Sequence, residues 1–231
     1  MQQIAKHFFD RVRDAKVQDY PFEHLVIDNL LPDSFYKNLA AQIESEDFHN
    51  NYQRGAYGNI ERYAVDLTDY GAFRASSAPV SATKLHPFNY NKLLERNQIY
   101  IDAFVRMLID NHSDFYSLLS SRLPTERTQD NYFFHINMTK DSVGYEIGAH
   151  CDDEQNIFTI LFYTPETDEN REFGLHVCKE RVDFMPNRMV VFAPSKPNTR
   201  RAATWHEVKR LSSNLVGTRN SFQMFFCKKV R

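Results

Sequence analysis

The sequence predicts an α+β protein, helical in its first half and a β sandwich or barrel in its second. Three observations predict it. Apolar residues recur at helical spacing as far as about residue 118, runs rich in aromatic and β-branched residues take over after residue 130, and turn-like segments separate those runs at near-regular intervals. A parallel α/β sheet would instead alternate strands with helical stretches along the whole chain. At 231 residues the chain suits one domain, with 1–128 as mostly helical support plus an N-terminal strand and 129–231 as the β core.

Each element has its own signal. Ile4, Phe8 and Val12 repeat at i, i+4, i+8 and predict a first helix, and the apolar run Leu25-Val26-Ile27 predicts a short strand. Asp33 or Ser34 can cap a second helix that places Phe35, Leu39 and Ile43 on one face. From about Asn89 to Leu118, Leu93, Tyr100, Phe104, Met107 and Leu108 predict one or two longer helices before Pro124. Residues 46–88 carry no clear pattern. In the second half, Tyr132–Met138, Ile157–Tyr163, Phe173–Cys178, Met189–Phe192 and Ser221–Phe226 read as strands, separated by turn-like stretches such as Thr164-Pro-Glu-Thr-Asp-Glu-Asn170.

Composition narrows the function classes. With 42% hydrophobic, 25% charged and 14% aromatic residues and only 7 Gly and 9 Pro, the chain is globular. A formal charge of -2 gives no general attraction to nucleic acid or to an anionic membrane, and Lys196, Arg200, Arg201, Lys209 and Arg210 read as a solvated basic face. The charged start MQQIAKHFFDRVRDAK does not suit a secretory leader, and no stretch has the length and apolarity of a membrane helix. Three widely spaced cysteines, Cys151, Cys178 and Cys227, suit free thiols in a reducing compartment, and a cytoplasmic location is expected.

Two places carry His followed two residues later by Asp: His112-Ser113-Asp114 and His150-Cys151-Asp152. On a helix such residues point about 200° apart, whereas on an extended strand they share a face. His112 falls in the helical half and reads as a helix-end surface residue. His150 follows the turn-forming Gly148 in the β-rich half, where His150 and Asp152 can meet one ion. His206, in Trp205-His206-Glu207-Val208, offers a third ligand three apparent strands later. Two imidazoles and one carboxylate are the donor set of non-haem Fe(II) sites and leave coordination positions open, unlike the closed tetrahedron of structural zinc.

Near the C-terminus, Arg219-Asn220-Ser221-Phe222-Gln223 reads as a strand with Arg219, Ser221 and Gln223 on one face and Asn220, Phe222 and Met224 on the other. An Arg pointing into an apolar interior needs an anion. A dicarboxylate supplies one through a bidentate pair, with the Ser221 hydroxyl adding a hydrogen bond. The same alternation places the Tyr163 phenol on one face with Thr159 and Leu161, as a second donor to that carboxylate.

These segments resemble the 2-oxoglutarate/Fe(II) oxygenase superfamily, in particular its prolyl 4-hydroxylase-like branch. The matching pieces are Gly144-Tyr-Glu-Ile-Gly-Ala-His150-Cys-Asp152, Phe158-Thr-Ile-Leu-Phe-Tyr163, Pro186-Asn-Arg-Met-Val-Val-Phe192, Trp205-His206-Glu-Val208 and Arg219-Asn-Ser221, in the family's order. Phe22-Glu-His-Leu-Val-Ile-Asp-Asn-Leu-Leu-Pro32 also looks like the segment preceding the barrel in that branch. The resemblance implies a double-stranded β-helix, or jelly roll, with supporting helices. It implies His150, Asp152 and His206 as iron ligands, and Arg219 with Ser221 and Tyr163 on the distal carboxylate of 2-oxoglutarate. It further implies Fe(II), 2-oxoglutarate and O2 in a hydroxylation that releases succinate and CO2, with ascorbate as a reductant, on a peptidyl (prolyl-type) or small-molecule substrate. Loops at 165–172 and 196–203 would shield the site and meet the substrate. Many relatives carry Gly-Gly-x-Leu or Gly-Thr where this chain has Glu172-Phe173-Gly174-Leu175. A cupin-like metal isomerase or lyase and a non-catalytic jelly-roll binding module are the competing classes; the first does not require an inward Arg219 aligned with Ser221, and the intact triad argues against the second.

Overall fold

The computed structural model describes residues 1–46, 53–54 (backbone only), 61–69, 98–123, 125, 132–153, 155–197 and 202–228. Four helices are present among them: α1 (Gln2–Asp14), α2 (Asp33–Ser45), α3 (Ile99–Asp110) and α4 (His112–Arg122). The strands are β1 (Val17–Gln18), β2 (His24–Ile27), β3 (Gln53–Arg54), β4 (Arg62–Asp66), β5 (Tyr132–Asp141), β6 (Ile147–His150), β7 (Asn156–Tyr163), β8 (Leu175–Val177), β9 (Glu180–Val182), β10 (Arg188–Phe192), β11 (His206–Val208) and β12 (Arg219–Lys228). They form an eight-stranded sheet in the order β1-β2-β10-β7-β12-β5-β4-β3 and a four-stranded sheet in the order β6-β11-β8-β9. Pairing is antiparallel throughout.

Alternation along the long strands separates two cores. Phe134, Ile136 and Met138 of β5, Phe158, Ile160 and Phe162 of β7 and Phe222, Met224 and Phe226 of β12 face the helices, where they join Phe8, Leu39, Phe104, Phe115 and Leu119. Phe104 meets Phe162 and Phe222 at ring distances of 5.3 and 5.0 Å, and Phe115 meets Phe134 and Phe226 at 6.1 and 5.7 Å. On the opposite face Leu161, Tyr163, Val190 and Phe192 pack with Leu175, Val177, Val182 and Val208 of the smaller sheet. Strands β7 and β10 are therefore buried on both faces, which explains why they are apolar nearly throughout. Phe162→Ala removes a fully buried ring from the helix-side core and is expected to cost about 3–5 kcal/mol, read as a lower denaturant midpoint with unchanged slope.

The helix and strand signals map closely onto these elements, with informative differences. α2 begins at Asp33, but its N-cap is Pro32 and no side chain caps it. Proline fixes the entering backbone, the Pro32 carbonyl accepts the Tyr36 N–H, and Asp33 serves the first turn as a charge, paired with Lys37 at 2.8 Å. The stretch expected to be helical to Leu118 divides at Asn111 into α3 and α4 and continues to Arg122, while its start at 89–97, with Leu93, and Pro124 lie outside the described residues. The expected strand Phe173–Cys178 is shorter: a single 3-10 turn, Arg171–Phe173, precedes β8. Most of 46–88 also lies outside the described residues, apart from β3 and β4. No helix among the described residues is long and apolar enough to cross a membrane.

Candidate metal centre

The edge of the smaller sheet assembles the first two site residues. β6 and β11 pair antiparallel with His150 directly opposite His206, so both imidazoles project from the same face. Their ring centroids lie 4.2 Å apart. β6 ends at His150, and Asp152 lies in the irregular segment that follows rather than on the strand, yet its side chain turns to the same place. Asp152 Oδ1 is 3.6 Å from His150 Nε2 and 3.5 Å from His206 Nε2. One ligand atom from each residue falls within 4.8 Å of the others, room for a shared ion.

The surroundings prepare those atoms for a metal. His150 Nδ1 bonds the Gly148 carbonyl and His206 Nδ1 the Thr204 carbonyl, both at 2.9 Å. A carbonyl only accepts, so each Nδ1 carries a hydrogen and each neutral ring turns the Nε2 lone pair toward the site. Thr159 donates to Asp152 Oδ2 at 2.5 Å, which leaves Oδ1 toward the histidines. Burial pushes the Asp152 carboxyl up, but in the metal-free site protonated His150 and His206, together with the Thr159 hydroxyl, outweigh it and hold the group well below the usual carboxylate range; a metal takes the place of those Nε2 protons. The hydrogen bond to Asp152 in turn raises His150, against the opposing effect of burial. Two neutral-imidazole nitrogens and an ionised carboxylate on one side of a cavity fit a divalent transition metal.

His112 is placed elsewhere. It opens α4, with its Nδ1–H on the Ile109 carbonyl at 2.7 Å and its ring edge-on to Tyr132. Asp114 lies in the first turn of the same helix.

The metal candidates line a cavity of about 480 Å³ between the two sheets. Thr159 and Leu161 of β7, His135 of β5, Gln223 and Phe225 of β12, Leu175 of β8 and Val208 of β11 form much of its wall, and Arg62 and Arg219 bring cations to it. Arg219 is 1% exposed. Its Nε donates to the Phe173 carbonyl at 2.8 Å and its Nη1 to Asp141 Oδ2 at 2.9 Å.

Ser221 and Tyr163 share the Arg219 face of the large sheet but do not line the cavity. The Ser221 hydroxyl is 2.9 Å from that of Thr139, its cross-strand partner. The Tyr163 oxygen accepts the Leu175 N–H at 3.2 Å, and burial pushes this phenol above its ordinary range, so it stays neutral. Both side chains are fully buried.

Arg62 and Asp141 escaped the motif reading. Arg62 lies in the unpatterned stretch, and a five-residue strand with charges at both ends carries little signal by itself. Asp141 was more legible: alternation from Phe134, Ile136 and Met138 puts His135, Asn137, Thr139 and Asp141 on the opposite, cavity-side face of β5. Lys209 and Arg210 of the basic patch are exposed, whereas Arg200 and Arg201, within the 196–203 loop, lie outside the described residues. Cys151, Cys178 and Cys227 are in no disulfide, and the Cys227 thiol donates to Asn156 Oδ1 at 3.4 Å.

No protein-family model matches the sequence, and no curated protein sequence matches it either. Solved structures do match. The dioxygenase for auxin oxidation 1 from Arabidopsis thaliana, in a binary complex with 2-oxoglutarate, superposes with a TM-score of 0.56 at 14% identity, over 98% of this chain and 90% of that one. A prolyl-4-hydroxylase from Pseudomonas putida superposes with a TM-score of 0.50 at 13% identity, over 97% of this chain and 99% of that one. At that identity the likeness establishes a shared fold across nearly the whole chain.

Proposed function

We propose that this protein is an Fe(II)- and 2-oxoglutarate-dependent dioxygenase that hydroxylates an unactivated C–H bond, built on a double-stranded β-helix whose two walls are the eight- and four-stranded sheets. One observation carries the reading: a two-histidine, one-carboxylate cluster opens onto a cavity that also receives the buried guanidinium of Arg219. A metal-dependent isomerase on the same fold does not require that cation, and the intact cluster argues against a simple binding module. The Arabidopsis neighbour, a dioxygenase in complex with 2-oxoglutarate, supports it by analogy of fold.

His150, Asp152 and His206 would hold the iron. Iron, O2 and 2-oxoglutarate supply the oxidising power, one oxygen atom entering the substrate and one entering succinate as CO2 leaves. The protein's part is binding and orientation. The Gly148 and Thr204 carbonyls keep the imidazole Nε2 atoms aimed inward, and Thr159 keeps Asp152 ionised and turned. Leu161, Leu175 and Val208 keep water from the co-substrate. Arg219 would hold its distal carboxylate, with Ser221 and Tyr163 fixing the strands around that end through Thr139 and Leu175. The primary substrate, a small molecule or a peptidyl side chain, would enter past His135, Asn156 and Phe225, and the reducing environment of the cytoplasm suits both ferrous iron and the free thiols.

Anaerobic addition of Fe(II) and then 2-oxoglutarate is expected to produce the weak visible charge-transfer band of a chelated 2-oxo acid, and admitting air to release succinate. Absence of the band, together with no calorimetric binding of 2-oxoglutarate to metal-loaded protein, removes the reading.

A further inference from the structure

The inner end of the cavity carries a three-membered ion group rather than a lone arginine. Asp141, completely buried, accepts from Arg62 Nε at 2.6 Å, from Arg62 Nη2 at 2.9 Å and from Arg219 Nη1 at 2.9 Å. Strand pairing sets this meeting: Asp141 of β5 lies opposite Arg62 of β4 on one side and opposite Arg219 of β12 on the other. Both arginines line the cavity and Asp141 does not. Arg62 is held further by the Tyr145 ring, 4.2 Å away, and by Gln223, whose amide oxygen, turned toward it, accepts from Nη1 and Nη2 at 3.0 Å.

We propose that Arg62 is a positioning residue for the co-substrate: by neutralising Asp141 it leaves Arg219, although ion-paired, with net positive charge for the distal carboxylate of 2-oxoglutarate. The inference rests on the co-substrate assignment made above. An Arg219–Asp141 pair alone is neutral, and an arriving carboxylate would meet the repulsion of Asp141 at nearly the distance of the attraction from Arg219. Within the trio two guanidiniums face one carboxylate, so Arg62 makes this end of the cavity one charge more favourable to an anion than the Arg219–Asp141 pair alone. Arg219 Nε donates to Phe173, Nη1 donates to Asp141, and the guanidinium also interacts with the Tyr163 phenol, so three partners fix its orientation at the cavity wall. On this account Arg62 acts through Asp141, and the net charge of the trio matters more than either arginine alone.

The test measures 2-oxoglutarate affinity anaerobically, by the visible band and by calorimetry on Fe(II)-loaded protein, with metal affinity and thermal melting as controls. Arg62→Met is expected to weaken 2-oxoglutarate at least about tenfold while Fe(II) binding is unchanged. Arg62→Lys, which keeps the charge, is expected to stay near wild type. The double variant Arg62→Met/Asp141→Asn restores one positive charge and is expected to recover affinity to within about threefold of wild type. Wild-type affinity in Arg62→Met, or a double variant no better than the single one, overturns the proposal. If Arg62→Met does not fold, Asp141→Asn decides: unchanged or tighter 2-oxoglutarate binding supports the charge account, and weaker binding overturns it. Failure of metal-loaded wild type to bind 2-oxoglutarate overturns the co-substrate assignment and this proposal with it, whereas wild-type binding with an unaffected Arg62→Met overturns this proposal alone.

Discussion

His206→Ala is expected to lower Fe(II) affinity by more than about 100-fold and to abolish succinate formation, while His112→Ala leaves both unchanged. Loss of a group that merely orients a metal ligand already costs about 10–100-fold, and here a proposed ligand itself is removed. His206 is the buried member of the trio, opposite His150 across the β6–β11 pair. Its removal leaves one imidazole and one carboxylate, too few to hold ferrous iron against water. His112 meets only the Ile109 carbonyl and the Tyr132 ring, at the start of a helix on the far side of the large sheet. Metal titration followed by circular dichroism of each variant checks the pair. Equal loss of iron binding from both substitutions would contradict the assignment of His150 and His206.

Gly174→Ala carries the second large effect. A Cβ built there would lie 1.8 Å from the Val182 carbonyl oxygen, 2.8 Å from its carbon and 2.9 Å from the Phe184 nitrogen, all backbone atoms with nowhere to retreat. The requirement is one of space: the backbone at Gly174 is extended, with φ −74 and ψ −177, so left-handed geometry plays no part. The substitution is expected to cost about 3 kcal/mol or more. For a domain of this size each kcal/mol lowers Tm by roughly 2–4 °C.

The damage would not stop at stability. The residue before Gly174 supplies the carbonyl that fixes Arg219 Nε, and the residue after it supplies the N–H that fixes the Tyr163 oxygen. Any shift of this segment therefore moves the arginine, and 2-oxoglutarate affinity is expected to fall with stability while iron binding persists. Parallel melting and anaerobic titration separate the two readouts. Unchanged 2-oxoglutarate affinity in a destabilised Gly174→Ala would show that the Phe173 carbonyl does not govern Arg219.

The Gly174 position also bears on the resemblance. The Glu172-Phe173-Gly174-Leu175 segment departs from the Gly-Gly-x-Leu or Gly-Thr pattern of many relatives, yet it retains a glycine where two chain segments touch, and it carries the backbone partners of Arg219 and Tyr163. Its sequence alone marked only a possible change in the wall of the site.

The residues by themselves determined the alternation that turns Phe222, Met224 and Phe226 to the helices and Arg219 and Gln223 to the cavity, because side chains in a strand obey a fixed two-residue period. They also favoured His150 over His112, since a strand or its immediate end can bring i and i+2 together and a helix cannot, and His150 does lie beside Asp152 and His206. Only the tertiary structure decided which polar groups on a shared face reach the cavity. Ser221 and Tyr163 have the right parity but lie against Thr139 and Leu175 and do not line the cavity, since parity fixes a side chain's face without fixing its partner. The Arg62–Asp141–Arg219 group depends on the register of three strands that are distant in sequence, and register is set by long-range packing that a single chain read linearly does not display.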